Sequence, residues 1–282
     1  MFEGEYLYNY KRKGKIYFNE RFEYEGDFFF DKKWNGKGYD ENGNLIYELK
    51  NGNGKVKEYY FDGKLNFEGE YLNGKKNGKG KEYYDNGNIR FEGEYLNGER
   101  NRNGKEYDYN GNIIFEGDYL NGKEWNGQIR EFYDNKLNFE CSIVEGQRNG
   151  KGKEYYDNGE LKFEGEYLNG KKWNGKGYDN ENNIVCELKD GKGYIKEFNY
   201  NGKLIFEGEY LIGQRNGKGK EYNCDGELIF EGEYLNGNRW NGIFKEYHNN
   251  SYIIKFNGRY IEGKKIDINL MNYKFFTGKY LV

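Results

Sequence analysis

One hexapeptide tiles this chain and leaves little freedom in what it can fold into. Phe67-Glu68-Gly69-Glu70-Tyr71-Leu72 recurs from Phe91, Phe115 (with Asp118), Phe163, Phe206 and Phe230, and a copy opens the chain at Phe2. Degenerate copies start at Tyr24, Tyr47, Phe139, Cys186, Phe256 and Phe276, giving thirteen anchors separated by 20 to 26 residues. Self-similarity at such a period is the mark of a repeat architecture. A longer period lies over it: Tyr24, Tyr47, Phe67 and Phe91 reappear 139 residues on as Phe163, Cys186, Phe206 and Phe230. The short steps are copied with the rest, so they belong to the design.

Each unit reads as a β-hairpin. In Phe91-Glu92-Gly93-Glu94-Tyr95-Leu96 the period is two, with Phe, Gly and Tyr on one face and Glu, Glu and Leu on the other. Asn97-Gly98 supplies the φ > 0 positions of a tight turn. A returning strand such as Gly80–Asp85 closes at Asn86-Gly87. One hairpin is marginal alone, so successive hairpins must stack their Phe and Tyr into ladders, a ring covering each interior glycine. Composition agrees: the 282 residues include 43 Gly, 31 Tyr, 20 Phe and 4 Trp, with no Pro and no Ala. So much Gly disfavours helix, and one-fifth aromatic content disfavours disorder. The expected fold is all-β, an elongated single-layer twisted antiparallel sheet. About 24 to 26 strands at the usual spacing would make a solenoid-like rod on the order of 110 to 125 Å long. Residues 1–251 form the array, about eleven hairpins, and 252–282, with degenerate repeats and a basic excess, form a C-terminal cap.

The stretch from Phe67 to Gly87, with its Glu-Gly-Glu-Tyr-Leu, Asn-Gly-Lys, Gly-x-Gly, Lys-Glu-Tyr-Tyr and Asp-Asn-Gly, resembles the MORN repeat. It is similar above all to the variant in which Lys-Glu-Tyr-Tyr-x-x-Gly precedes the Glu-Gly-x-Tyr strand. Departures are Asn77 and Asn149 in place of the usual His, and Tyr where many members have Trp after Glu. The resemblance implies a single-layer antiparallel sheet that serves as a scaffold, a dimerisation module or a binder of acidic phospholipids. It implies no catalytic residues.

Catalysis is poorly provided for. The chain has one His, His248, two Ser and one Thr, so triad chemistry has almost no parts; His248 aligns with a solvated turn. Cys141, Cys186 and Cys224 fall in different phases of different units, unlike convergent metal ligands or a disulfide framework. Gly170-x-x-x-x-Gly175-Lys176 imitates a phosphate loop but lacks the following Ser or Thr and a helix. The paired glutamates of each Phe-Glu-Gly-Glu strand read as cross-strand partners of lysines such as Lys79 and Lys81. Asn249-Asn250-Ser251 is a formal glycosylation acceptor. No catalytic residue, cofactor or metal is expected.

All four tryptophans, Trp34, Trp125, Trp173 and Trp240, precede Asn-Gly. Gly74 and Gly78 are four apart whereas Gly122 and Gly127 are five apart, so Trp accompanies an extra loop residue. Two readings stand: the indole folds back over its hairpin end, or exposed indoles at the tips are partner-binding hot spots. Lys11-Arg12-Lys13-Gly14-Lys15 is a small basic patch read as a solvated turn. The net charge of -3 and matched lysines and glutamates argue against nucleic acid as a partner. The absence of a long apolar run and of a signal sequence at the N-terminus gives a cytoplasmic expectation. The function expected is a non-enzymatic scaffold binding protein partners or itself through a repeat-built aromatic surface. The alternative is a peripheral binder of acidic phospholipid headgroups.

Overall fold

The computed structural model describes residues 1–18, 20–199, 201–247 and 254–267. Every regular element in them is a β-strand, joined to its sequence neighbours in antiparallel meanders. The chain divides into two compact units, 1–135 with 143–146, and 136–142 with 147 onward. The first holds a five-stranded sheet from Phe2–Leu7 to Leu45–Leu49 and then the strands from Gly54–Tyr59 to Lys123–Tyr133. The second holds the strands from Gln147–Tyr155 to Ile184–Leu188 and then a seven-stranded sheet from Gly193–Phe198 to Lys264–Asp267.

The hairpin Leu65–Leu72 with Lys75–Tyr83 shows why these residues take this form. Asn73 and Gly74 both adopt positive φ, 53° and 71°, the two-residue turn whose twist matches that of paired strands. Phe67 pairs with Glu82, Glu68 with Lys81 and Gly69 with Gly80. A row of glycines thus crosses the strands, Gly69, Gly80, Gly93, Gly104, Gly117 and Gly127, each opposite the next. At its far end the hairpin closes on Asp85–Asn88, where the Gly87 amide donates to the Tyr84 carbonyl.

The 20-residue steps have a physical form. Leu49 and Val56 occupy glycine-row positions and the strands meet in a tight Lys50–Asn53 bridge without room for a bulge. Leu188 and Ile195, with the Lys189–Lys192 bridge, repeat this in the second unit. Aliphatic side chains fill what rings fill elsewhere, and Leu49, Val56, Leu188 and Ile195 are all buried. Of the expected cap, Ile254–Ile261 pairs with Asn238–Tyr247 and then with Lys264–Asp267. Residues 252–253 and 268–282, His248 and Asn249–Ser251 lie outside the described residues.

Candidate interaction surfaces

A single sheet layer has no second layer to bury its rings, yet Phe67, Phe91, Phe115, Phe163, Phe206 and Phe230 are at most 2% exposed. Their floor is glycine. A Cβ on Gly69 would stand 2.7 Å from Phe67 Cζ, and one on Gly80 2.7 Å from its Cε2, so each ring lies flat on its own strand's glycine and on the one opposite. Their walls are tyrosine rings from neighbouring hairpins, edge-on at 5.6 Å for Phe67–Tyr95 and 5.2 Å for Phe91–Tyr119 and Phe206–Tyr234, the arrangement the ring quadrupoles favour.

Their lid is charged. Lys76 Nζ stands 4.0 Å from the Phe67 centroid, and the guanidinium carbons of Arg100, Arg148 and Arg215 stand 4.2, 4.1 and 4.1 Å from those of Phe91, Phe139 and Phe206. These cations are then tied down by carboxylates. Arg100 donates to Glu82 at 2.7 Å and reaches Glu106 at 2.8 Å; Arg215 reaches Glu197 and Glu221 at 2.7 and 3.8 Å. Tyrosine hydroxyls donate to the same carboxylates, Tyr119 to Glu106 at 2.9 Å and Tyr234 to Glu221 at 3.0 Å. Burial works to raise the carboxyls of Glu82, Glu154 and Glu197, but the neighbouring Arg or Lys outweighs it and holds all three below the usual range. The rings are therefore sealed: this face presents guanidinium, ammonium and carboxylate to a partner, not open aromatic surface.

The opposite face is a lattice of charge. Lys57, Glu68, Lys81, Glu92, Lys105 and Glu116 follow one another across the strands, with ion pairs of 3.7, 3.2 and 2.9 Å for Lys57–Glu68, Lys81–Glu92 and Lys105–Glu116. This is the cross-strand pairing expected of the paired glutamates. Tyr83, Tyr107 and Tyr222 donate to Glu68, Glu92 and Glu207 from this side; burial, and then the bond to a carboxylate, pushes Tyr107 and Tyr222 up to about 12. Between its charged rows, where the intervening residues are directed to the ring face, the backbone of Gly69, Gly80 and Gly93 floors an open groove of about 860 Å³.

The tryptophans are placed differently from the loop-glycine count. The true partner of Gly69 is Gly80, eleven residues on, whereas Gly117 pairs with Gly127, ten residues on. The Trp hairpins are thus the shorter ones, and the expected extra residue is a misalignment of Gly127 with Gly78 instead of Gly80. In the register, Asp118 pairs with Asn126 and Tyr119 with Glu124, which leaves Trp125 as the unpaired residue of a β-bulge; Trp34, Trp173 and Trp240 are skipped in the same way. Three other hairpins set three residues against one there, with Gly78 at φ 85°, Gly217 at 90° and Arg102 at 59°, and the first hairpin has a one-residue bulge at Arg12. All four tryptophans are half-buried. Trp34 and Trp173 lie against the turn glycine of the following hairpin, Gly52 and Gly191, whose amides donate to the Trp carbonyls. The Asn after each Trp tethers the same turn, as Asn174 Oδ1 does in accepting from the Asp190 amide at 2.8 Å.

Two further tips escape the repeat grammar. The turns of the first two hairpins are Tyr8-Asn9 and Phe30-Asp31 in place of Asn-Gly, with Tyr8 at φ 50° and Phe30 at φ 48°, a region that bulky residues rarely adopt. Tyr8 is 87% and Phe30 60% exposed, and the Phe30 ring meets that of Tyr10 at 5.1 Å. Lys11–Lys15 begins beside them. The missing Asn-Gly at these two positions was a readable signal for the cluster.

The remaining motifs disperse. Gly170 is in a turn while Gly175 and Lys176 sit in a strand opposite Gly165 and Glu164, so the phosphate-loop spacing forms no cradle. Cys141 and Cys186 are buried, Cys224 is exposed, and all three are free; burial pushes the Cys141 thiol up to about 11. Among the described residues no three His, Cys, Asp or Glu side chains gather as metal ligands would.

The profile described as "MORN repeat" matches residues 67–89, 91–113 and 206–227, and that described as "MORN repeat variant" matches 52–73 and 148–169. The chain carries MORN repeats. The three segments of the first profile each contain a whole glycine-floored, cation-lidded hairpin, Phe67 under Lys76, Phe91 under Arg100 and Phe206 under Arg215, whereas the two variant segments each join a returning strand to the first strand of the next hairpin. No curated protein sequence matches. Among solved structures, one that is similar is the crystal structure of TcdB2-TccC3 without hypervariable C-terminal region, at 12% identity over 88% of this chain, with a TM-score of 0.22. The chain spans 16% of that chain's length, and so low a score carries no argument for the MORN array.

Proposed function

We propose that this MORN array is a non-catalytic cytoplasmic scaffold that binds protein partners or itself through its repeat-built faces. The observation that carries the reading is that the same polar pattern is presented hairpin after hairpin on both faces of the sheet, with rings and glycines held beneath it. Such a surface offers a partner a regular series of charge-assisted hydrogen bonds over a rigid apolar floor. The groove along Gly69, Gly80 and Gly93 is one such stretch in the first unit. Trp34, Trp125, Trp173 and Trp240, half-buried at the bulges, are separate candidate anchor residues for a partner. The test is affinity capture on the purified chain with mass spectrometry, repeated with Lys57, Lys81 and Lys105 changed to Glu. Partners retained undiminished by the reversed variant, or reproducible substrate turnover by the purified chain, would overturn the reading.

A second reading, a peripheral binder of anionic lipid, is favoured by one observation: Tyr8 and Phe30 protrude at strained turns beside Lys11, Arg12 and Lys13. Amphipathic rings next to basic side chains suit a charged bilayer interface. Flotation with phosphatidylserine vesicles and with neutral phosphatidylcholine vesicles decides it: salt-sensitive binding to the first alone, lost in Tyr8→Ser/Phe30→Ser, supports this reading.

A further inference from the structure

The 139-residue duplication lets one copy of the block show what a place in the other copy is shaped to hold. In the first unit Tyr47 is 7% exposed, and its ring lies over Gly38, where a Cβ would run into it. It stacks on Tyr24 with 6.5 Å between centroids. Its hydroxyl accepts from Lys33 Nζ at 3.1 Å, and the same ammonium donates to Glu23 at 2.6 Å. In the second unit Tyr24, Lys33 and Gly38 are repeated as Phe163, Lys172 and Gly177, but Tyr47 becomes Cys186 and Glu23 becomes Lys162. A thiol thus stands where the first copy has a phenol, and a cavity of about 390 Å³ opens there, lined by all five of these residues.

The second change sets a cation where the first copy has an anion. Two acidic side chains line the cavity against five basic ones, and both are already engaged. Glu154 accepts from Tyr167 at 2.7 Å and from Lys172 at 2.8 Å; Glu197 accepts from Arg215 at 2.7 Å and from Tyr210. Burial holds the Cys186 thiol above its usual range, so its sulfur supplies no negative charge. Among the described residues no hydrogen bond or ion pair reaches the Lys162 ammonium, which stands 5.6 Å from the Tyr156 centroid. Burial, offset in part by the charge of Glu154, holds that ammonium below the usual lysine range, and an anion brought beside it would relieve the cost.

We propose that this cavity is a binding site for a small aryl carboxylate of the benzoate class, its ring over Gly177 as Tyr47 is over Gly38 and its carboxylate between Lys162 and Lys172. The ring takes the place that the first copy fills with its own side chain, against Phe163 as Tyr47 lies against Tyr24. A cavity of about 150 Å³ suffices for benzene, so this one has room for the ring and for the carboxylate. The carboxylate accepts from Lys172 where the Tyr47 hydroxyl accepts from Lys33, and it gives Lys162 the anion that Glu23 gives Lys33. The site is distinct from the scaffold reading, since neither the charged face nor a tryptophan enters it.

The test is isothermal titration of the full chain with benzoate, benzamide, acetate and sulfate at constant ionic strength, alongside Cys186→Tyr and Lys162→Gln. Benzoate should bind the native chain about ten-fold more tightly than benzamide, which lacks the charge, and more tightly than acetate, which lacks the ring. Cys186→Tyr, which builds the ring of the first copy into the second, should abolish binding and raise Tm by roughly 2–4 °C. Lys162→Gln should weaken benzoate about ten-fold and leave benzamide unchanged. No saturable benzoate binding, equal binding of benzamide, undiminished binding by either variant, or a lowered Tm in Cys186→Tyr overturns the proposal. Acetate or sulfate binding as tightly as benzoate, and competing with it, assigns the cavity to simple anions and overturns the aryl ligand.

Discussion

Arg100 is the residue whose loss tests the charged lid most directly. Its side chain is 15% exposed, and those of Glu82 and Glu106 are 19% and 18% exposed, so solvent screens these pairs far less than surface ones. Arg100→Met keeps much of the stem over Phe91 and removes only the cation. Two charge-assisted hydrogen bonds go, each worth about 1.5–3 kcal/mol. The loss is cut back because Glu82 keeps Lys76 and Glu106 keeps the Tyr119 hydroxyl. Losing the cation over the ring adds about 1 kcal/mol, for a net destabilisation of about 3 kcal/mol. Urea unfolding followed by near-UV circular dichroism measures it. The carboxyl of Glu82 is held low in the folded chain, so the stability it contributes is complete above the unfolded carboxylate value, about 4.3, and is lost as pH falls through its lower folded value. The gap between native chain and variant should therefore be full at pH 7 and narrow below about pH 4. A gap under about 1 kcal/mol at pH 7, or one that does not change with pH, would refute the electrostatic account and leave Arg100 as mere cover for a ring.

Gly80→Ala places a Cβ 2.7 Å from Phe67 Cε2 and 3.0 Å from Tyr95 Cε2, so overpacking should cost about 1–3 kcal/mol, whereas Gly98→Asn, where nothing lies within 4 Å and only the φ of 98° opposes a side chain, should cost less in the same urea assay. Glu124→Gln should stabilise the chain at pH 7 by about 0.5 kcal/mol, small because the group is half-buried. With the folded carboxyl raised by burial and, after it, by the charge of Glu106, the native chain gains stability as pH falls through that raised value, so the advantage of Gln should disappear below about pH 4; an advantage that persists in acid refutes repulsion as its source. Asn174→Ala removes the acceptor of the Asp190 amide and should cost about 1 kcal/mol, with faster hydrogen exchange at Asp190 as its local signature. The half-buried tryptophans should show blue-shifted emission and slow acrylamide quenching; quenching at the rate of free indole would contradict their packing on the turns.

What the sequence disclosed and what it concealed divide along one physical line. Period-two alternation survives in the strand carrying Phe-Glu-Gly-Glu-Tyr-Leu, so the ring face, the charged face, the turn and the cover over glycine were all legible from Phe91 to Leu96. The returning strand carries the bulge, and there alternation misleads. Between Gly127 and Glu124 a single unpaired Trp125 reverses the parity, so that counting by twos from Gly127 puts Trp on the ring face where the register puts Glu124. Between Gly80 and Lys76 three residues stand against one and parity is restored. Lysines and arginines after Asn-Gly look like solvated turn residues, and only parity counted back from the returning-strand glycine puts a residue such as Lys76 on the ring face, as the lid over its own hairpin's ring. Tyr8 and Phe30 are a different case: they are visible as exceptions to Asn-Gly, and the meaning of an exception depends on knowing what the regular position does. The same holds for Glu124, since only the cations at that position in the other bulged hairpins make one carboxylate in the column stand out. In an array whose stability is a sum over neighbouring interfaces, a conflict of this kind can persist at a single hairpin, where its energetic effect is local and the surface it creates differs from every other hairpin's.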